Sequence, residues 1–202
     1  MRNIACKLLL AAGLALPSVA LSTPASAESA LARFFLAGQP RQEGGRFMSN
    51  RSPIPRQTVS YDEKMPAGVI IIETSERRLY YTLGNGKAYK YAVGVGREGF
   101  EWSGTDRISR KAEWPGWTPP AEMRAREAKK GHILPVYQAG GPKNPLGARA
   151  LYIGSRVYRI HGTNQPWTLG KAMSSGCIRM ANDDVTELYN KAGVGTKVIV
   201  RR

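Results

Sequence analysis

Residues 68 to 94 read GVIIIETSERRLYYTLGNGKAYKYAVG, and this stretch decides the fold class. Val69 to Ile72 is a continuous apolar run of the length of a buried strand. Leu79 to Leu83 and Ala88 to Val93 are rich in aromatic and β-branched residues, and Gly84-Asn85-Gly86 stands between them. Two such runs around a Gly-Asn-Gly turn predict a β-hairpin.

Outward from the hairpin the pattern continues. Thr105 to Ser109, Ala150 to Ile153, Val157 to Ile160 and Lys197 to Val200 are further candidate strands. Pro119 to Lys130 has a helix-compatible composition. Asp183 to Lys191 reads as a short helix, opened by Asn182 or Asp183 as a cap and closed by Gly193. The expectation is a mainly β, sandwich-like domain with one or two short helices. Trp114-Pro-Gly-Trp117-Thr-Pro-Pro120 is too rich in proline for a regular element, and its tryptophans are expected to pack on the sheet, with roofing a groove as the alternative.

The first 27 residues have a different character. Arg2 and Lys7 precede an apolar run from Leu8 to Leu21, and Ala25-Ser26-Ala27 follows, which is the layout of a signal peptide cleaved before Glu28. Residues 28–65 carry Pro40, Pro53, Pro55 and Gly44-Gly45 with little apolar periodicity, and read as an extended lead-in to a packed domain over 66–202.

Thirty Lys and Arg stand against fifteen Asp and Glu, a formal charge of +15. Losing Arg2 and Lys7 with the leader would leave 28 against 15, or +13. Such a protein is drawn to anionic polymers, and an export signal directs that attraction to the cell envelope rather than to nucleic acid. Cys6 would leave with the leader, so Cys177 would be the single cysteine of an exported chain. In an oxidising compartment an unpaired thiol calls for a reason.

The chain has two histidines, His132 and His161. His161 ends an apolar strand and is followed by Gly162-Thr163-Asn164; Ser174-Ser175-Gly176-Cys177-Ile178-Arg179 comes shortly after. A histidine at a strand-to-loop junction can project into a cleft while its backbone is held. Glycine beside a cysteine lets a carbonyl approach closely and lets consecutive N–H groups converge on an oxyanion. Cys177 as nucleophile and His161 as its base is therefore one reading, with Arg179 stabilising a thiolate or binding a carboxylate. A buried structural thiol, a hydrogen-bonded structural histidine and an Arg179 paired with Asp183 or Asp184 are the alternatives. With neither CxxC nor HExxH, no metal or other cofactor is expected.

The pair IHGTN (Ile160 to Asn164) and SSGCIRM (Ser174 to Met180) resembles the active-site signature of the L,D-transpeptidase catalytic domain, the YkuD-type family. Ala139 to Leu151 and Val93 to Pro120 are similar to periplasmic members from Gram-negative bacteria, and the resemblance runs from about Pro66 to Val200. It implies that Cys177 is the nucleophile, that His161 is the base and that the Gly162 carbonyl orients the imidazole. It further assigns the oxyanion hole to the backbone of Gly176 and Cys177, and substrate contacts to Arg179, Ser175, Thr163 and Asn164. Ser175 stands where many members carry a second histidine.

The implied reaction is attack on the third-residue carbonyl of a peptidoglycan tetrapeptide stem, release of D-alanine, and transfer of the acyl group to an amine. A second stem or an outer-membrane protein or lipoprotein would supply that amine, in the periplasm, and carbapenems would inactivate the enzyme. A carboxypeptidase using water and a non-catalytic basic wall-binding protein are the competing readings.

Overall fold

The computed structural model describes residues 50–62, 64–98, 102–155 and 158–202; the expected leader, Cys6 and the lead-in to residue 49 lie outside them. The described residues are mainly β. Strands β1 (Gln57–Ser60), β2 (Ile70–Glu73), β3 (Arg78–Gly84), β4 (Lys87–Ala92), β5 (Val95–Gly96) and β6 (Gly104–Glu113) come first. Helix α1 (Ala121–Ala128), β7 (Arg149–Ile153), β8 (Arg159–His161), a 3-10 turn (Pro166–Thr168), β9 (Ala172–Ser174) and β10 (Ile178–Arg179) follow. Helix α2 (Asn182–Lys191) and β11 (Lys197–Arg201) complete the order. None of the described helices is long and apolar enough to cross a membrane.

Nine strands form one sheet in the order β1-β4-β3-β2-β11-β6-β7-β8-β10. β6 joins its two halves: residues 104–107 pair with β11, and 108–113 pair with β7. Ile70, Ile72 and Leu79 from one half and Leu151, Ile153, Ile160 and Ile178 from the other meet in one core, giving the expected sandwich-like packing. Val185, Leu188 and Ala192 close it from α2 and the residue after it.

The apolar run at β2 has a simple cause. Ile70 and Ile72 face this main core, while Val69 and Ile71 face a second cluster with Tyr80 and Ala88. All three isoleucines are fully buried, and each stabilises the fold by about 1.5–3 kcal/mol. Val59, Tyr61 and Met65, at the end of the lead-in, cover that second cluster. β1 itself, outside the strands read from the sequence, pairs antiparallel with β4.

The hairpin turn forms as read. Asn85 and Gly86 have φ of 53° and 66°, the double left-handed conformation that matches the twist of the flanking strands. α2 differs at both ends. Its N-cap is Ala181, without a side-chain cap, and Asn182 turns inward instead. Beyond its C-terminus Gly195, with φ 89°, takes the left-handed conformation rather than Gly193.

Candidate active site

His161 is the last residue of β8, and β10 runs parallel beside it with Ile178 opposite Ile160 and Arg179 opposite His161. Register partners in a parallel pair project to the same face, so Arg179 and His161 share one. Cys177 precedes β10 immediately. Strand spacing puts its Cα about 8 Å from that of His161, and the Cys177 and Arg179 charges act on one another. Two motifs separated in sequence are thus brought together by a two-residue strand.

The loop that carries Cys177 is held on its other side by residues 93–97. Gly94 and Arg179 exchange backbone hydrogen bonds of 2.9 and 2.8 Å, and the Val95 and Arg97 amides donate to the carbonyls of Lys171 and Ser174 at 3.1 and 3.0 Å. Within the loop the buried Ser174 hydroxyl donates to the Cys177 carbonyl at 2.6 Å and accepts from the Gly176 amide at 3.2 Å. Gly176 has φ 100°, open to glycine and strained for other residues. The Gly176 amide, expected to face an oxyanion, is thus engaged by Ser174. Ser175 and Cys177 are both half-buried.

His161 is 4% exposed, and its Nδ1 stands 2.6 Å from the Gly162 carbonyl oxygen. That contact requires the proton on Nδ1, which leaves the Nε2 lone pair to accept one. Burial, then the positive charges of Arg179 and Arg159, push the imidazole down to about 3, against the carbonyls of Gly162 and Leu146, which pull it up. The ring is therefore neutral at physiological pH. A proton accepted at Nε2 is held weakly there.

Arg179 is largely desolvated, which holds its guanidinium below the usual arginine range, while Cys177 opposes that shift. The alternative pairings go elsewhere: Asp183 pairs with Arg51 at 3.9 Å, and Arg56 pairs with Glu187 beside Asp184. The charge of Arg179 acts on Cys177 and on His161.

The loop after His161 borders a recess of about 290 Å³ lined by Thr163, Asn164, Pro166, Asn182, Asn50 and Trp114. Asn164 Nδ2 donates to the Lys143 carbonyl at 2.9 Å, and the Thr163 hydroxyl accepts from the Gln165 amide at 3.0 Å. Both side chains are thus partly spent on shaping the loop. Trp114, expected to pack on the sheet, is 42% exposed and lines this recess, whereas Pro115 and Pro119 are buried. His132 lies apart, exposed beside Glu127 at 3.5 Å. Among the described residues no three His, Cys, Asp or Glu side chains gather as metal ligands.

Residues 67–200 match the family model described as the L,D-transpeptidase catalytic domain. The chain belongs to that family. It is 39% identical over 150 residues to the Escherichia coli K12 protein named "Probable L,D-transpeptidase ErfK/SrfK", covering 72% of this chain and 47% of the relative. It is 38% identical over 149 residues to "Probable L,D-transpeptidase YbiS" of the same strain, with the same coverage. The chain thus spans about half the length of these family relatives. Among solved structures it is similar in fold to L,D-transpeptidase 3 from Mycobacterium tuberculosis, with a TM-score of 0.53 at 17% identity over 68% of this chain and 62% of that one. The same mycobacterial enzyme in complex with a faropenem-derived adduct gives 0.52 at 18% identity, over 68% and 61%.

Three residues of this candidate site were not legible in the sequence. Ser174 reads as one of two adjacent serines, and Asn182 as a helix cap; both take their roles from contacts made across the loop. Leu146, whose carbonyl faces His161, lies inside the Ala139 to Leu151 segment that carried the resemblance, with no signal of its own.

Proposed function

We propose that this chain is an exported L,D-transpeptidase that acts in the periplasm on peptidoglycan stem peptides. The observation that supports this reading is the β8–β10 pairing, which sets Arg179 beside His161 with Cys177 directly before β10, together with the contact from His161 Nδ1 to the Gly162 carbonyl. The Cys177 thiol attacks the third-residue carbonyl of a tetrapeptide stem while its proton passes to His161 Nε2. The tetrahedral intermediate collapses, the C–N bond to D-alanine breaks, and the leaving amine takes that proton from His161. A thioester to Cys177 remains.

An incoming amine then gives its proton to His161 and attacks the thioester, restoring the thiol. If the amine is the side chain of a diamino acid on another stem, the product is a 3→3 cross-link; if it belongs to an envelope protein, the product is a protein tethered to the wall. Arg179, desolvated and with its charge acting on Cys177, suits a carboxylate of the donor stem. The net positive charge favours residence on an acidic wall. A carbapenem, whose strained amide is a ready acyl donor to a thiolate, should acylate the same sulfur.

The test is incubation of the purified protein with disaccharide-tetrapeptide, read by mass spectrometry. The expected result is an adduct on Cys177, loss of D-alanine and a cross-linked dimer. Release of D-alanine without a dimer at any added amine would make the protein a carboxypeptidase. No adduct, with salt-sensitive binding to purified sacculi, would make it a wall-binding protein. A Cys177→Ala variant that still releases D-alanine would overturn the assignment of the nucleophile.

A further inference from the structure

Asn182 is 8% exposed and sits at the start of α2, with Met180 and Ala181 between it and β10. Its Oδ1 accepts from the Ala148 amide at 2.9 Å and from the Thr163 amide at 3.3 Å. Its Nδ2 donates to Asn50 Oδ1 at 3.2 Å, and the Asn50 carbonyl in turn accepts from the Asp183 amide at 3.0 Å. The carboxamide orientation is settled by these partners. Flipped, its NH2 group would face two N–H donors and no acceptor.

The Thr163 amide and the Gly162 carbonyl belong to one peptide group. That group is planar, with its N–H and C=O pointing in opposite directions, so anchoring one end sets the direction of the other. Here Asn182 holds the N–H end, and the C=O end accepts from His161 Nδ1 at 2.6 Å. The chain has packed tightly to make this possible: a Cβ on Gly147 or Gly162 would lie 2.2 or 2.3 Å from Asn182 Oδ1. An acceptor at the N–H end also polarises the carbonyl and strengthens the bond it receives.

We propose that Asn182 is a positioning residue for His161, acting through the Gly162–Thr163 peptide plane: the Gly162 carbonyl takes the place a carboxylate would have in a catalytic triad, and Asn182 holds that carbonyl from behind. Being neutral, it fixes the tautomer of the imidazole without the field that would charge it. Through Asn50 it also couples the segment before β1 to the catalytic loop. This rests on the reading of His161 as the base of Cys177.

Two readouts separate the inference from that reading. The first is NMR of the imidazole, tractable because the chain has two histidines and His132 is exposed. Wild-type His161 should carry its proton on Nδ1 alone; a proton on Nε2 overturns the proposal with no variant needed. In Asn182→Ala the two tautomers should mix. In Asn182→Asp, which keeps the acceptor, the single tautomer should return and the titration of His161 should move up.

The second readout is acylation of Cys177 by imipenem, followed by mass spectrometry. It should slow by about 10- to 100-fold in Asn182→Ala and recover most of its rate in Asn182→Asp. An Asn182→Ala protein that keeps the wild-type tautomer, rate and pH profile overturns the inference. A wild-type Cys177 that is never acylated sinks the catalytic reading instead, and the tautomer still decides whether Asn182 sets His161.

Discussion

His161 and Arg179 face each other as register partners across β8 and β10, so a permanent positive charge stands on the same face as the candidate base. That charge is the second cause, after burial, of the low proton affinity of His161. Replacing it by Met should raise the imidazole from its value of about 3, and burial should still hold it below the ordinary histidine range. An NMR titration of Arg179→Met checks the direction. The same variant should raise KM for a carboxylate-bearing stem more than it changes the rate with a small thioester. An unmoved titration would remove Arg179 from the electrostatics of the base.

Acid should act on this fold through two groups that oppose one another. Buried His161 stays neutral to about pH 3 while an unfolded histidine protonates near 6.5. Between those values the unfolded state binds more protons, so this group's contribution to stability falls on acidification, by at most about 1.4 kcal/mol per pH unit. Asp184 is raised to about 6 by burial, then by Glu187 and Asp183, and its Oδ2 has no hydrogen-bond partner. Its native form holds a proton that the unfolded chain has lost, so its contribution rises as pH falls from about 6 toward 3.8. The Asp184→Asn variant should be more stable than wild type above pH 6. Its melting temperature should then fall more steeply between pH 6 and 4, a slope that calorimetry at several pH values would measure.

The legibility of the sequence followed the range of the contacts. The hairpin at Gly84 to Gly86 was readable because two adjacent residues set their own φ, and the β2 run was readable because burial on both faces leaves no polar position in it. β1, β5, β9 and β10 were not. They are two to four residues long, and each exists because a distant strand offers hydrogen bonds, as Gly94 does for Arg179. At the site, Cys177 and His161 were legible as residue types that share a chemistry, and the family motif paired them. The inward turn of Asn182 was hidden because an asparagine before a helix reads as a cap. The amides of Ala148 and Thr163 hold its oxygen instead, and Gly147 and Gly162 leave the room for it.

Ser174 should matter more than its place between exposed Met173 and half-buried Ser175 suggests. Its hydroxyl spans the nucleophile loop from the Gly176 amide to the Cys177 carbonyl, and it is 2% exposed. Removing it in Ser174→Ala takes away both of these buried hydrogen bonds, at a cost of about 1–3 kcal/mol. Acylation by stem peptide should slow by about tenfold or more, because the loop no longer presents the thiol in one geometry. Alkylation of Cys177 by iodoacetamide, which needs no such geometry, should change far less. Equal losses in both reactions would mean that the variant has simply unfolded the loop.

Gly147 provides the sharpest test of how closely the site is built. Its φ is 64°, and a Cβ there would lie 2.2 Å from Asn182 Oδ1 and 2.5 Å from the Thr163 nitrogen. Alanine at this position meets a left-handed strain of about 1–2 kcal/mol and also a collision with the Gly162–Thr163 peptide nitrogen and the Asn182 oxygen that holds it. The loop can relieve that collision only by moving the peptide whose carbonyl orients His161. Gly147→Ala should therefore lower both the melting temperature and the rate of Cys177 acylation. Gly193→Ala, where the added carbon would meet nothing within 4 Å, should lower neither. A Gly147→Ala protein with wild-type acylation would mean that the His161 loop tolerates displacement, and the rigid coupling from Asn182 to the imidazole would then be wrong.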